Sequence, residues 1–123
     1  MRAAHAELVQ ILTDLTALPV VPQGSDLPGD LFVSYLFMPG GVDRAHDGGG
    51  PYLSVIQLDV WCRAHGGVPD PEEMTFSVSE QIVEHVKGLA RFGIRQMPSY
   101  TEPSEENQGY ARALLKLSAT YSL

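Results

Sequence analysis

Two glycine clusters, Gly48-Gly49-Gly50 and Gly66-Gly67, bracket the stretch Pro51 to Ala64, PYLSVIQLDVWCRA. It is the longest β-like run in the chain, and it constrains everything around it. Successive side chains of a strand point to opposite faces of its sheet. One face here carries Ile56, Leu58, Val60 and Cys62, an apolar row suited to packing against helices. The other carries Leu53, Val55, Gln57, Asp59, Trp61 and Arg63, with the only tryptophan set between an acid and a base. That second face is too polar for a dry core. Trp and Arg are enriched in protein–protein contacts, so it suits a contact surface. A half-exposed strand face with Trp61 closing its edge is the plainer structural account.

The neighbouring segments supply partners for this strand. Ala4, Leu8, Ile11, Leu12 and Leu15 recur at spacings of three and four, which predicts a helix between Arg2 and Leu18, stopped by Pro19. Val20-Val21 suits a short edge strand before Pro22, since proline lacks the amide that a central strand needs. Gly24 to Asp30 is turn-rich, and Leu31 to Met38 alternates as a strand with two mostly apolar faces, which predicts cover on both sides. Pro39 to Pro51 reads as a long loop that cannot hold a fixed shape alone, because its glycines lose the most backbone entropy on ordering. It carries Asp43, Arg44, His46 and Asp47.

After His65 to Asp70 a second helix is well signalled. Asp70 suits the N-cap, Pro71 the first helical position, and Glu72 and Glu73 the positive end of the helix dipole. Met74, Val78, Ile82, Val86 and Leu89 form its apolar stripe, widened by Phe76 and Val83, with fraying from Gly88 to Phe92. A short strand around Ile94 to Met97 and an acidic, flexible loop from Ser99 to Gly109 lead to a last strand, Tyr110 to Tyr121. Its inward row is Ala111, Ala113, Leu115, Leu117, Ala119 and Tyr121; Arg112, Lys116, Ser118 and Thr120 point outward. This order predicts an α+β fold: a mainly antiparallel β-sheet with two helices packed on one face and long loops projecting from the sheet.

Length and charge bound the function. A chain of 123 residues is read as a single domain, residues 1–123. One cysteine excludes an internal disulfide. There is no signal-peptide pattern and no apolar run long enough to span a bilayer, so no membrane partner is expected. The net charge of −7, with Lys87 and Lys116 the only lysines, argues against nucleic-acid binding as the main task, because that affinity comes from neutralising phosphates.

A search for chemistry returns little. The histidines His5, His46, His65 and His85 lack metal-ligand spacing. Asp43, His46 and Asp47 could meet in a turn around a cation or small ligand, and a solvated loop tip is the blander alternative. Cys62, three residues before His65, falls on the apolar face of its strand, where a thiol behaves as a small hydrophobe. The glycine clusters lack the lysine and the strand–loop–helix context of a phosphate loop. Glu102, Glu105 and Glu106 form an acidic run with no positioned partner. No catalytic residue, metal or cofactor is expected.

The element order, with Val20-Val21-Pro22, Leu27-Pro28, the Phe32-Val33 strand, a Gly-rich loop bearing Arg44, and Gln57-Leu58-Asp59-Val60-Trp61 before a helix, resembles the tail terminator (tail completion) family of long-tailed bacteriophages. The likeness runs over nearly the whole chain. It implies a structural, non-enzymatic protein of the virion, assembled in the host cytoplasm into a ring of identical subunits, expected to be a hexamer. Such a ring caps the tail tube protein, ends polymerisation and presents the surface for a head-completion or connector protein, while DNA passes through the lumen without specific binding. The resemblance places ring contacts around Asp59, Trp61 and Arg63 and around Arg44. With Gln57, Asp43, His46, Asp47, Glu102, Glu105 and Glu106 they make up the candidate interface residues. A head-completion connector or tail-tube subunit would share ring geometry. A small acidic enzyme or ligand-binding module using the Asp43-His46-Asp47 loop is the alternative of another class.

Overall fold

The computed structural model describes residues 2–44 and 52–121. Its elements run α1 (Arg2–Thr16), β1 (Val20–Pro22), β2 (Leu31–Arg44), β3 (Tyr52–Cys62), α2 (Pro71–Lys87), β4 (Phe92–Thr101) and β5 (Ala111–Tyr121). This is the expected α+β fold. The five strands form one sheet in the order β1-β2-β3-β5-β4, antiparallel throughout except for the short parallel pair β1–β2. The strand bracketed by glycines, β3, lies at the centre.

Both helices cover one face, and the alternation of the strands decides which. Ile56, Leu58 and Val60 of β3 join Val33 of β2 and Ala113, Leu115 and Leu117 of β5 in one buried cluster with Leu8 and Leu12 of α1 and Val78, Ile82, Val83 and Val86 of α2. The small alanines of β5 let the helices approach closely. Burial of this apolar area is the main stabilising term, at roughly 25 cal/mol per Å² removed from water. α2 starts as its sequence predicts: Asp70 is the N-cap, its Oδ1 accepting from the Glu73 amide at 3.2 Å, and Pro71 takes the first turn. α1 stops at Thr16 because Ala17 adopts a left-handed φ of 56°, its amide donating to Thr13 O at 2.9 Å. α1 is also tied to later parts of the chain, by Gln81 Nε2 of α2 donating to Leu15 O (3.1 Å) and by Arg91, between α2 and β4, donating from Nη1 to Glu7 Oε2 (2.8 Å).

Four expectations are corrected. First, β2 continues through Pro39-Gly40-Gly41 to Arg44, so the first part of the supposed loop is strand. Met38 faces Val55 and Asp43 faces Leu53, so five steps along β2 match two along β3 and three residues are accommodated as a bulge. Glycine permits that irregularity, and the flanking strand pairing fixes what the isolated segment could not. Second, β4 spans Phe92–Thr101, reaching past Pro98 into the supposed loop. Proline is tolerated because β4 is an edge strand, and the pairing with β5 slips on both sides of Gln96. Third, Ser104 to Gly109 is a hydrogen-bonded turn rather than a flexible arm: Gly109 N donates to Ser104 O at 2.7 Å, and Gln108 (φ 56°) and Gly109 (φ 82°) turn the chain with left-handed backbone. Fourth, Phe76 does not widen the buried stripe of α2; it is exposed and packs on Tyr100 with ring centroids 5.6 Å apart.

Candidate functional site: the open face of the sheet

No helix lies over the second face among the described residues, and the register of three strands assembles it. Phe32 of β2 pairs with Trp61 of β3, which pairs with Arg112 of β5; one step inward, Ser34 pairs with Asp59 and Asp59 with Leu114. Asp59 is only 1% exposed. Its Oδ1 accepts from Arg112 Nε at 2.8 Å and its Oδ2 from Gln57 Nε2 at 3.1 Å. A carboxylate this far from water is tolerable only when paired and hydrogen-bonded.

The Arg112 guanidinium does double service, lying 4.9 Å above the centroid of the Trp61 ring. Trp61 Nε1 donates to Ser34 Oγ at 3.0 Å, so the indole is fixed at its polar end. Its ring stacks on Phe32 (centroids 6.4 Å, 19° between planes) and meets Tyr110 edge-on (6.2 Å, 86°). Tyr110 donates its hydroxyl to Gly29 O at 2.6 Å and lies under Arg63, 4.8 Å from the guanidinium carbon. Arg63 in turn grips Asp30 through Nε (3.0 Å) and Nη2 (2.7 Å), a hydrogen bond that pushes its pKa above the usual value. Acids, bases and rings thus alternate in one chain of contacts across the open face.

Beside Trp61 the surface falls into a cleft of about 260 Å³. Its floor is Phe32, Trp61 and Tyr110; Val21, Leu27, Glu106 and Gln108 are among its walls. The turn of residues 104–109 forms one rim and the β1–β2 connection the other.

The sequence-predicted residues divide as follows. Gln57, Asp59, Trp61 and Arg63 share the open face, with Asp59 sealed beneath Arg112. Glu106 reaches the cleft, Glu105 lies next to it in the turn, and Glu102 is exposed just after β4. Asp43 and Arg44 close β2 opposite Leu53 and Tyr52. His46 and Asp47 lie outside the described residues. Nothing in the sequence alone marks Phe32, Ser34, Tyr110 and Arg112 as site residues. The sequence places Arg112 on the outward row, and the β3–β5 register brings it against Asp59 and Trp61.

Nothing in the described geometry assembles a nucleophile with a base. Cys62 faces the helices, fully buried, and that burial pushes its thiol pKa up. His65 Nδ1 is engaged 2.7 Å from Arg63 O, in the tight turn where His65 and Val68 pair. Among the described residues no group of three or more His, Cys, Asp or Glu could hold a metal ion. No helix among them is long and apolar enough to cross a membrane.

No protein-family profile matches this sequence. No curated protein matches it. Among solved structures, the chain is similar to one in a structure described as the virion of a native gene transfer agent (GTA) particle, with 17% identity and a TM-score of 0.49 over 100% of this chain and 95% of that one. It is also similar to a solved chain known by a sequence label alone, with 23% identity and a TM-score of 0.53 over 98% of this chain and 93% of the other. The second likeness shows a shared fold, two helices on one face of a five-stranded sheet.

Proposed function

We propose that this protein is a structural component of a phage-like virion, a tail terminator whose subunits close into a ring, as a hexamer, on the end of the tail tube. The observation that carries this reading is the uncovered sheet face. A domain whose two helices both pack on one side leaves the other without a helical layer and carries there a tryptophan, two arginines and a buried carboxylate. Faces rich in Trp, Tyr and Arg suit protein–protein contact. Head-to-tail contacts between identical subunits close into rings when the rotation permits. The resemblance in sequence pattern to tail terminators points the same way.

In this role the protein acts by shape and performs no bond-making chemistry. The tail tube is its partner on one side and a head-completion protein on the other. Its net charge of −7 suits a collar through which DNA passes without sticking. The test is to add the purified protein to assembling tail-tube subunits and to image the product by negative stain. Tubes of arrested length carrying a ring at one end are expected. Tubes that lengthen by incorporating the protein would make it a tube subunit, and tubes indifferent to it would end the proposal.

A further inference from the structure

Guanidinium, ring and carboxylate recur as a unit on the open face. Arg63 lies 4.8 Å from the Tyr110 centroid and 2.7 Å from the Asp30 carboxylate. Arg112 lies 4.9 Å from the Trp61 centroid and 2.8 Å from that of Asp59. A guanidinium suits such a place because it is attracted to a ring face and still keeps a fork of N–H donors for an acid.

The Trp61 cleft repeats two of the three parts. Its floor belongs to the same aromatic cluster, with Trp61 half-exposed and Phe32 and Tyr110 buried behind it. Its wall supplies the carboxylate of Glu106, which forms no ion pair among the described residues. Glu105 beside it, and Asp26 between the lining residues Ser25 and Leu27, are likewise without an ion pair among those residues. No arginine or lysine lines the cleft. Ring and acid are present, and the complementary charge is positive.

Size narrows the choice. Small-molecule pockets run from about 300 to 1,000 Å³. This cleft holds about 260 Å³, which fits one side chain better than a whole free ligand. Val21 and Leu27 offer apolar surface for the stem of a long one. Both rims are already fixed: Gln23 N donates to Tyr35 O (2.8 Å) on one, Gly109 N to Ser104 O (2.7 Å) on the other, and the Tyr110 hydroxyl ties the two sides through Gly29 O (2.6 Å). A site formed in advance spends little binding energy on ordering.

We propose that the Trp61 cleft is a socket for an arginine carried on the surface of a partner protein, its guanidinium meeting Trp61 and the Glu106 carboxylate and its stem lying on Val21 and Leu27. This goes beyond the ring reading and stands or fails without it.

The test is titration with the blocked peptide acetyl-Gly-Arg-Leu-Gly-amide, and with the same peptide carrying norleucine for arginine. The readout is the indole N–H resonance of Trp61, unambiguous because the chain has one tryptophan. The arginine peptide is expected to shift it saturably with a Kd of roughly 1–10 mM, the scale of one anchored side chain. The norleucine peptide binds at least about tenfold more weakly. Glu106→Gln, at an exposed position outside the buried cluster, weakens the arginine peptide about threefold, as loss of one exposed charge pair does. Equal binding of the two peptides makes the cleft a plain apolar socket and overturns the proposal. So does equal affinity of the parent and Glu106→Gln, or no saturable shift at peptide concentrations well above that Kd. A resonance that moves with protein concentration alone gives the cleft to a second copy of this chain and overturns the foreign partner. None of these readouts involves a tube or a ring, so the tube-capping assay is decided separately.

Discussion

On the covered face of β3, Leu58 is fully buried between its cross-strand partners Tyr35 and Leu115 and beneath the helices; on the open face of β2, Leu36 stands 40% exposed beside Gln57. The two leucines belong to adjacent strands of one sheet and live in different physical regimes. The covered face is held by dispersion and the exclusion of water, and its residues are interchangeable in kind if not in volume. The open face is held by directional contacts, Arg112 to Asp59 and to the Trp61 ring, in which removing one partner strands the other. One side makes the domain stable. The other holds Arg112, Asp59 and Trp61 in a fixed arrangement with no helix over them among the described residues.

Four substitutions probe that contrast. Leu58→Ala should cost the most, about 3–4 kcal/mol of unfolding free energy in a denaturant titration, from lost transfer energy plus a cavity the surrounding strands cannot collapse. Arg112→Met should cost about 2–3 kcal/mol, because Asp59 is then left charged and buried with only Gln57 to answer it. Adding Asp59→Leu to Arg112→Met should recover most of the loss; a double variant as unstable as the single one would mean that the guanidinium matters for its packing on Trp61 rather than for its charge. Leu36→Ser should shift stability by no more than about 0.5 kcal/mol, as an exposed site does. A loss as large as that of Leu58→Ala would show that the open face has a cover after all.

Much of the covered face was legible in the sequence. Period-two alternation in β3 and β5 and the three-four spacing of Leu8, Leu12, Val78 and Ile82 fix which side chains meet, because burial of each row depends on the periodicity of its own segment. The N-cap at Asp70 was legible for the same local reason. The open face was not. Asp59, Trp61 and Arg63 stood out by type, but Asp59 is sealed because β5 aligns Arg112 across from Trp61, and register between strands 53 residues apart is a property of the whole sheet. The length of β4 escaped too, since Pro98 reads locally as a stop and only its edge position removes the penalty. In β2, glycines that look like punctuation are absorbed into a bulge by pairing with β3.

The strand order carries one more implication, for the timing of synthesis. β5 lies between β3 and β4 yet follows both in sequence, joined to neither by a tight hairpin. Until it emerges from the ribosome, a nascent chain holding α1 through β4 has a gap in the middle of its sheet, with two unpaired strand edges facing each other across it. Such a chain cannot close its hydrophobic core, so folding is held back until translation has passed β5, and a molecule interrupted short of that point would be substrate for proteases.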